Sequence, residues 1–303
     1  MSERLKSTLC GVPFKNPVLA ASGTFGFGRE YAEFYDLGLL GGICTKGLTR
    51  ERREGNDAPR IAETPGGILN SVGLQNPGVD AFLETEMAFL RGYDTRVIVN
   101  IAGNSEEDYV YMAERVSGCG ADFVEMNISC PNVKAGGMAF GILPESVRKI
   151  TESVKRACGL PLMVKLSPNV SCIADNARAA EDGGADCISL INTLSGMAVD
   201  LKGRKPLLAN QIGGLSGPCV KPVALRMVWD CFRAVKIPIV GLGGISTAED
   251  ALEFMLCGAR LVQVGTANLS DPLAMPKIIE GMEEYCAKNG VKNVSELVGG
   301  LRD

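Results

Sequence analysis

Residues 239–266 read IVGLGGISTAEDALEFMLCGARLVQVGT. An apolar run, 239–243, ends among Gly241, Gly243 and Gly244. Thr247 and Asp250 follow at capping-box spacing, with Asp in place of the usual Glu or Gln, and open an amphipathic stretch over 247–257. A second apolar run, 261–265, ends at Gly265 and Thr266. Strand, helix and strand joined by short connections make a βα unit of a parallel sheet. Glycines at two successive strand exits let backbone amides approach a phosphate with a helix N-terminus behind them. GLGGI followed one unit later by VGTA is where a (β/α)₈ barrel carries such a site. Tight turns alone are the plainer reading of any one cluster.

Working outward, the same pattern fills the chain. Short apolar strands are expected at 18–22, 42–46, 97–101, 123–128, 162–166 and 187–192, besides the two above. Amphipathic helices are expected at 77–92, 105–118, 144–158, 172–183, 221–235 and 272–289. Roughly eight such units predict a (β/α)₈ TIM barrel, with the doubly wound open sheet as the rival. Polar residues at the C-terminal ends of most strands favour the barrel. Residues 4–16 read as an N-terminal β-hairpin around Gly11 and Pro13, suited to plugging the barrel bottom. The segments 47–76 and 193–219 interrupt the alternation and are expected as inserted loops over the C-terminal face. No linker or low-complexity segment is visible, so the chain reads as one domain, 1–303.

Composition narrows the function. The chain is 46% hydrophobic and 22% charged with a net charge of -4, which gives no basic footprint for nucleic acid and no polybasic membrane anchor. No apolar run approaches the ~20 residues of a membrane span, and the first residues lack a signal-peptide core, so a cytoplasmic location is expected. The 11 cysteines include no C-x-x-C pair. Disulfides and the usual zinc or iron–sulfur spacings are therefore not expected, and most thiols read as small buried hydrophobes. The chain has no histidine. Any acid–base chemistry must then run through Cys, Lys, Tyr, Asp or Glu.

The strand ends carry the candidate chemistry. Residues 123–141, FVEMNISCPNVKAGGMAFG, begin as a strand and end in Asn127, Ser129, Cys130, Pro131 and Asn132, before a loop with Gly136, Gly137 and Gly141 that could close over a ligand. Cys130 is the best-placed proton acceptor; an unperturbed thiol titrates near ~8.5, within reach of general-base work, although a buried structural cysteine is the default. Lys46 ends ICTKG and Lys165 sits in LMVKLSP. Each reads either as a lysine reaching solvent or as a cation facing a cofactor that gains negative charge. Asn100, Asn127 and Asn192 recur at strand ends and suggest a ring of amides around one ligand, against the turn-forming role usual for a single asparagine. Asn70 and Asn76 lie on the long loop after the second strand, where they either bind a ligand or hold turns. Gly213, Gly214 and Gly217 add a third glycine loop.

At NISCPN, with TKG, NSVGLQNPG, VKLSPNV, INTLSGMAVD, GGLSGP, GLGGI and VGTA, the chain resembles class 1 dihydroorotate dehydrogenase almost end to end, with the motifs in family order. Class 2 enzymes carry a serine at the position of Cys130 and a membrane-associating N-terminal extension. NVKAGGMAFG and TLSGMAVD resemble the B type, which passes electrons to NAD through a partner subunit. The resemblance implies a barrel that binds FMN through Ser22, Lys46, Gly47, Asn100, Asn127, Lys165 and Ile191, with Gly217, Gly243, Gly244, Gly265 and Thr266 around the ribityl phosphate. It implies a substrate site at Lys46, Asn70, Ser71, Val72, Gly73, Leu74, Asn127, Asn132, Asn192 and Thr193, Cys130 as base, and no metal in this chain. Gly47 departs from the serine of many relatives, which removes a hydroxyl contact to the cofactor. The implied reaction is oxidation of dihydroorotate to orotate in pyrimidine biosynthesis. The implied assembly is a homodimer joined by two subunits carrying FAD and a [2Fe–2S] cluster. The alternatives are the fumarate-linked A type, an FMN-dependent dihydropyrimidine dehydrogenase, and a non-catalytic flavin- or phosphate-binding barrel.

Overall fold

The computed structural model describes residues 3–129 and 140–302. In chain order its strands begin with β1 (Ser7–Leu9), β2 (Val12–Phe14), β3 (Val18–Ala20), β4 (Gly42–Cys44), β5 (Ile61–Thr64) and β6 (Gly67–Asn70). There follow β7 (Arg96–Ile101), β8 (Phe123–Asn127), β9 (Leu162–Lys165), β10 (Cys187–Leu190), β11 (Leu194–Gly196) and β12 (Val199–Asp200). The last are β13 (Lys205–Pro206), β14 (Gly213–Ser216), β15 (Ile239–Leu242) and β16 (Ala259–Val264). Eight of them form a closed barrel in the order β10-β15-β16-β3-β4-β7-β8-β9. The ring shuts where β16 runs parallel to β3, with Val262 opposite Val18 and Val264 opposite Ala20. All eight expected strands are present, and the open-sheet rival is excluded by this closure.

The helices are α1 (Val79–Ala81) and α2 (Met87–Leu90), joined by a π turn over Phe82–Glu86, then α3 (Glu106–Ser117), α4 (Pro144–Ala157) and α5 (Ile173–Asp182). They continue with α6 (Lys221–Ala234), α7 (Ala248–Leu256), α8 (Ala267–Ser270) and α9 (Ala274–Lys288). Their starts follow from sequence. The Ser105 hydroxyl accepts from the Asp108 N–H at 3.2 Å and caps α3. Thr247 and Asp250 form a reciprocal capping box at α7, so Asp substitutes for the longer Glu.

Successive strand residues alternate between the barrel lumen and the helical layer. Val18, Ala20, Val99, Val124 and Val164 join the outer core with the helices. Leu19, Ile98, Phe123, Met163, Cys187, Val240 and Leu261 form an inner cluster together with Leu9 and Phe14 of the β1–β2 hairpin. The Phe14 and Phe123 rings lie 5.9 Å apart. The hairpin therefore plugs the barrel bottom as expected. Its turn places Cys10 and Gly11 at φ 48° and 81°, the positive pair that a two-residue turn of this hand requires.

The inserted segments depart from the expectation of plain loops. They build an antiparallel sheet in the order β11-β14-β6-β5 and a small β12–β13 ladder. Asn70 accordingly lies in a strand, opposite Gly214 and Ile61, and not in a loop. The expectation that most thiols are buried also needs correction. Among the ten described cysteines, Cys44, Cys187, Cys231 and Cys286 are buried, while Cys172 and Cys219 are exposed. Among the described residues no helix is long and apolar enough to cross a membrane.

Candidate active site

Every barrel strand delivers a sequence-predicted residue to its C-terminal end. Ser22 follows β3, Lys46 and Gly47 follow β4, Asn100 lies near the end of β7, and Asn127 and Lys165 end β8 and β9. Ile191, Asn192 and Thr193 follow β10, Gly243 and Gly244 follow β15, and Gly265 and Thr266 follow β16. Parallel strands with one hand of crossover put all these exits on one face, where barrel sites lie.

The amides meet. Asn192 Nδ2 donates to Asn127 Oδ1 at 3.1 Å, and the Asn127 oxygen also accepts from the Ser129 N–H at 3.2 Å. Tyr109 donates from its hydroxyl to the Asn127 carbonyl at 2.7 Å, fixing the end of β8 from α3. Asn100 is fully buried, and its Oδ1 has no hydrogen-bond partner among the described residues. That orphaned acceptor faces Gly47, where an added Cβ would lie only 2.9 Å from it. A buried acceptor left without a donor is costly unless a ligand supplies one.

Beneath this face lies a polar layer that the sequence reading missed. Glu125, fully buried in β8, is its centre. Its Oε1 accepts from Asn100 Nδ2 at 2.6 Å and from the Cys44 thiol at 3.2 Å, and lies 3.6 Å from Lys165 Nζ. Its Oε2 accepts from Ser189 Oγ and Gln263 Nε2, each at 2.8 Å. Burial pushes the Glu125 carboxyl up, but the Lys165 charge and these donors outweigh it and hold the group below the ordinary glutamate value. Burial, with Glu125 beside it, pushes the Cys44 thiol well up, so that sulfur stays protonated. A signal was present: Phe123, Glu125 and Asn127 step by two, as do Ile98 and Asn100, and Met163 and Lys165. Read in that period, each strand passes from an apolar floor through a polar layer to the site.

Lys46 is mostly buried, and burial, then the Arg60 guanidinium, hold its ammonium below the ordinary lysine value. No carboxylate lies within ion-pair distance of it among the described residues. Lys165 thus has one carboxylate partner and Lys46 has none among the described residues, a surplus of positive charge at the strand exits suited to an electron-rich or anionic ligand.

On the opposite side the glycine loops converge. A Cβ on Gly244 would fall 2.8 Å from the Lys221 backbone nitrogen and 2.9 Å from the Gly217 carbonyl, at φ 85°. Only glycine permits this approach of the β14 and β15 exits to the start of α6. Thr266 donates from its hydroxyl to Ser216 Oγ at 2.9 Å, which brings the β16 exit to the same place. The Ile191 side chain packs on Gly243, and its N–H donates to the Leu242 carbonyl at 2.9 Å.

The expected substrate residues 70–74 border this face through the added sheet. Leu74 lies against Gly47, the Thr193 side chain against Gly214, and the Ser71 hydroxyl is buried with no partner among the described residues. Asn76, left open between binding a ligand and holding turns, takes the second role. It donates to Thr49 Oγ1 and the Leu74 carbonyl, and accepts from the Thr49 and Gly78 N–H groups, so it holds the loop in turns. Cys130 and Asn132 lie outside the described residues, as do Pro131, Gly136 and Gly137.

The donor set fits FMN: an orphaned amide oxygen, two cationic amines and a glycine-lined approach on one barrel mouth. Comparison with known proteins agrees in family. A model of the family described as dihydroorotate dehydrogenase matches residues 4–286. The chain belongs to the dihydroorotate dehydrogenase family. A relative from Thermoanaerobacter pseudethanolicus is 55% identical over 292 residues, 96% of this chain and 97% of that protein. One from Alkaliphilus oremlandii is 55% identical over 293 residues, 97% of each. One from Geotalea uraniireducens is 53% identical over 303 residues, 98% of each. All three are named dihydroorotate dehydrogenase B (NAD(+)), catalytic subunit. Within this dihydroorotate dehydrogenase family the (β/α)₈ barrel and its C-terminal face are the shared frame on which the residues above are mounted.

Proposed function

We propose that the chain is the catalytic subunit of an NAD-linked dihydroorotate dehydrogenase of the B type, oxidising dihydroorotate to orotate. One observation carries the reading. Amides and amines from β4, β7, β8, β9 and β10 meet on one face of a chain that is 55% identical, nearly end to end, to a B-type catalytic subunit.

FMN would be held by Ser22, Lys46, Gly47, Asn100, Asn127, Lys165 and Ile191, with Gly217, Gly243, Gly244, Gly265 and Thr266 around its phosphate end. When bound, it supplies the acceptor for the hydride that leaves C6 of the substrate. Lys46, residues 70–74, Asn127, Asn132, Asn192 and Thr193 hold the pyrimidine ring. Their role is orientation, which is supported by the amide pair already locked between Asn127 and Asn192. Cys130 removes the proton from C5; with no histidine in the chain, a thiol three positions after Asn127 in the sequence is the group best suited to it. Lys165 would offset the negative charge that FMN gains on reduction.

The relatives are named as catalytic subunits, which supports a partner that carries electrons onward to NAD. We place FAD and a [2Fe–2S] cluster on that partner, joined to a homodimer of this chain. The chain would act as one domain, 1–303, in the cytoplasm.

Anaerobic titration tests this. The purified chain is expected to be yellow, to bleach on addition of dihydroorotate, and to pass electrons to NAD only with its partner present. A colourless chain, or a yellow one unmoved by dihydroorotate, overturns the reading. Reoxidation by fumarate alone would instead favour the A type, and uracil-stimulated turnover with no response to orotate a dihydropyrimidine dehydrogenase.

A further inference from the structure

Glu125 belongs to neither the phosphate loops nor the substrate face, yet side chains from β4, β7, β9, β10 and β16 all point at its carboxylate. Two of the five, Asn100 and Lys165, belong to the cofactor set of the preceding section. We propose that Glu125 is a positioning residue for the flavin. It orients Asn100, holds Lys165 at the end of β9, and sets how much of the Lys165 charge the cofactor feels.

The geometry supports each part. Asn100 donates through Nδ2 to Glu125 at 2.6 Å, so its Oδ1 must point away from the carboxylate, and that is the buried atom without a partner among the described residues. Glu125 thereby turns the amide acceptor outward. Lys165 Nζ lies 3.6 Å from the same Oε1, and its side chain is only 6% exposed. At that separation in a dry interior, the carboxylate cancels a large share of the lysine charge. Glu125 itself is anchored independently of Lys165 by Ser189 and Gln263 on Oε2. It therefore does not swing with the lysine. A carboxylate that served only to fill the barrel would be replaceable by an apolar group, and four donors would not converge on it.

The inference rests on the flavin reading, and its test separates the two. Glu125→Gln keeps the size and removes the charge. Lys165 is then unopposed and stabilises the negatively charged reduced cofactor more than the oxidised one. The affinity for reduced FMN relative to oxidised FMN should rise about tenfold, read as an upward shift of the bound-flavin midpoint potential by about 30 mV, the two-electron equivalent of tenfold. A purely architectural Glu125 would lower the melting temperature and weaken both redox forms equally, leaving the potential in place; that result overturns the proposal. Glu125→Asp provides the second arm. It keeps the charge but withdraws it by one methylene from Asn100 and Lys165. Its FMN dissociation constant should rise about tenfold, the size of one lost charge-assisted hydrogen bond. Wild-type affinity and potential in Glu125→Asp overturn the proposal even where Glu125→Gln does not fold. A wild-type chain that holds no FMN fails the flavin reading; one that holds it while both variants match it fails this inference alone.

Discussion

The Asn192 side chain donates from Nδ2 to Asn127 Oδ1 across 3.1 Å and ties the exits of β8 and β10 together over β9, the strand that carries Lys165. The two amides are thereby preorganised before any ring lies on them. Among the described residues, Asn192→Ala leaves Asn127 with only the Ser129 N–H as donor to its oxygen. It should lower kcat/KM for dihydroorotate by about 10²-fold, ~2.7 kcal/mol, while the flavin content stays at one per chain. Steady-state kinetics with an absorbance count of bound flavin check both parts.

Cys130→Ala should retain FMN and its spectrum. Anaerobic bleaching by dihydroorotate should slow by about 10² to 10⁴, the usual weight of a general base. Stopped-flow absorbance gives the rate directly, and a wild-type rate would remove Cys130 as the base.

Two glycines separate backbone strain from lost space. Gly11, at φ 81°, has nothing within 4 Å of an added Cβ, so Gly11→Ala should cost only the left-handed penalty, about 1–2 kcal/mol. Gly244 adds contacts of 2.8 and 2.9 Å with the backbone of Lys221 and Gly217. Gly244→Ala should cost more, about 3 kcal/mol, and reduce FMN content, which Gly11→Ala should not. Urea melts and flavin counts distinguish the pair.

Asp250 gives the fold an acid-sensitive clasp. Its Oδ1 lies 2.6 Å from Lys221 Nζ, and its Oδ2 accepts from the Ser246 and Thr247 N–H groups at 2.8 and 2.9 Å. Burial pushes this carboxyl up, but Lys221 and the two amides outweigh it and hold the group below the ordinary aspartate value. A depressed carboxyl stabilises the fold above the unfolded-chain value of about 4, and the contribution drains away as pH falls through the folded value. Asp250→Asn should therefore cost about 1 kcal/mol near pH ~6, with the gap to wild type narrowing below about pH 4. Urea melts across that range check the sign.

Much of this was legible along the chain. The barrel strands are apolar runs of a few residues bounded by glycine, proline or polar residues, and the helices carry their own start signals at Ser105, Pro144 and Thr247. The added sheet was not legible. Its strands are short and half exposed, with Ile61 54% and Ile212 60% exposed in and beside them, and Asn70 meets Gly214 across 144 residues. Periodicity cannot report a pairing so distant. Glu125 was hidden for a related reason. In FVEMN it is one charge in an apolar run, and its partners Cys44, Asn100, Lys165, Ser189 and Gln263 sit on five other strands. Only the closed ring brings them to it. The amides Asn127 and Asn192 were readable because both stand at strand ends, whereas Asn76, in the same kind of sequence, spends all its hydrogen bonds on its own loop.

The seam between β3 and β16 governs how the chain comes into being. These neighbours open and close the barrel sequence, so the first barrel strand made waits for the last. During synthesis β3 and β15 remain raw edges until residues 259–264 have left the ribosome, and the Leu9–Phe14 plug has only an incomplete ring to sit in until then. Nascent chains stalled short of β16 therefore carry two unpaired strand edges, and about the last seventh of the sequence is what covers them.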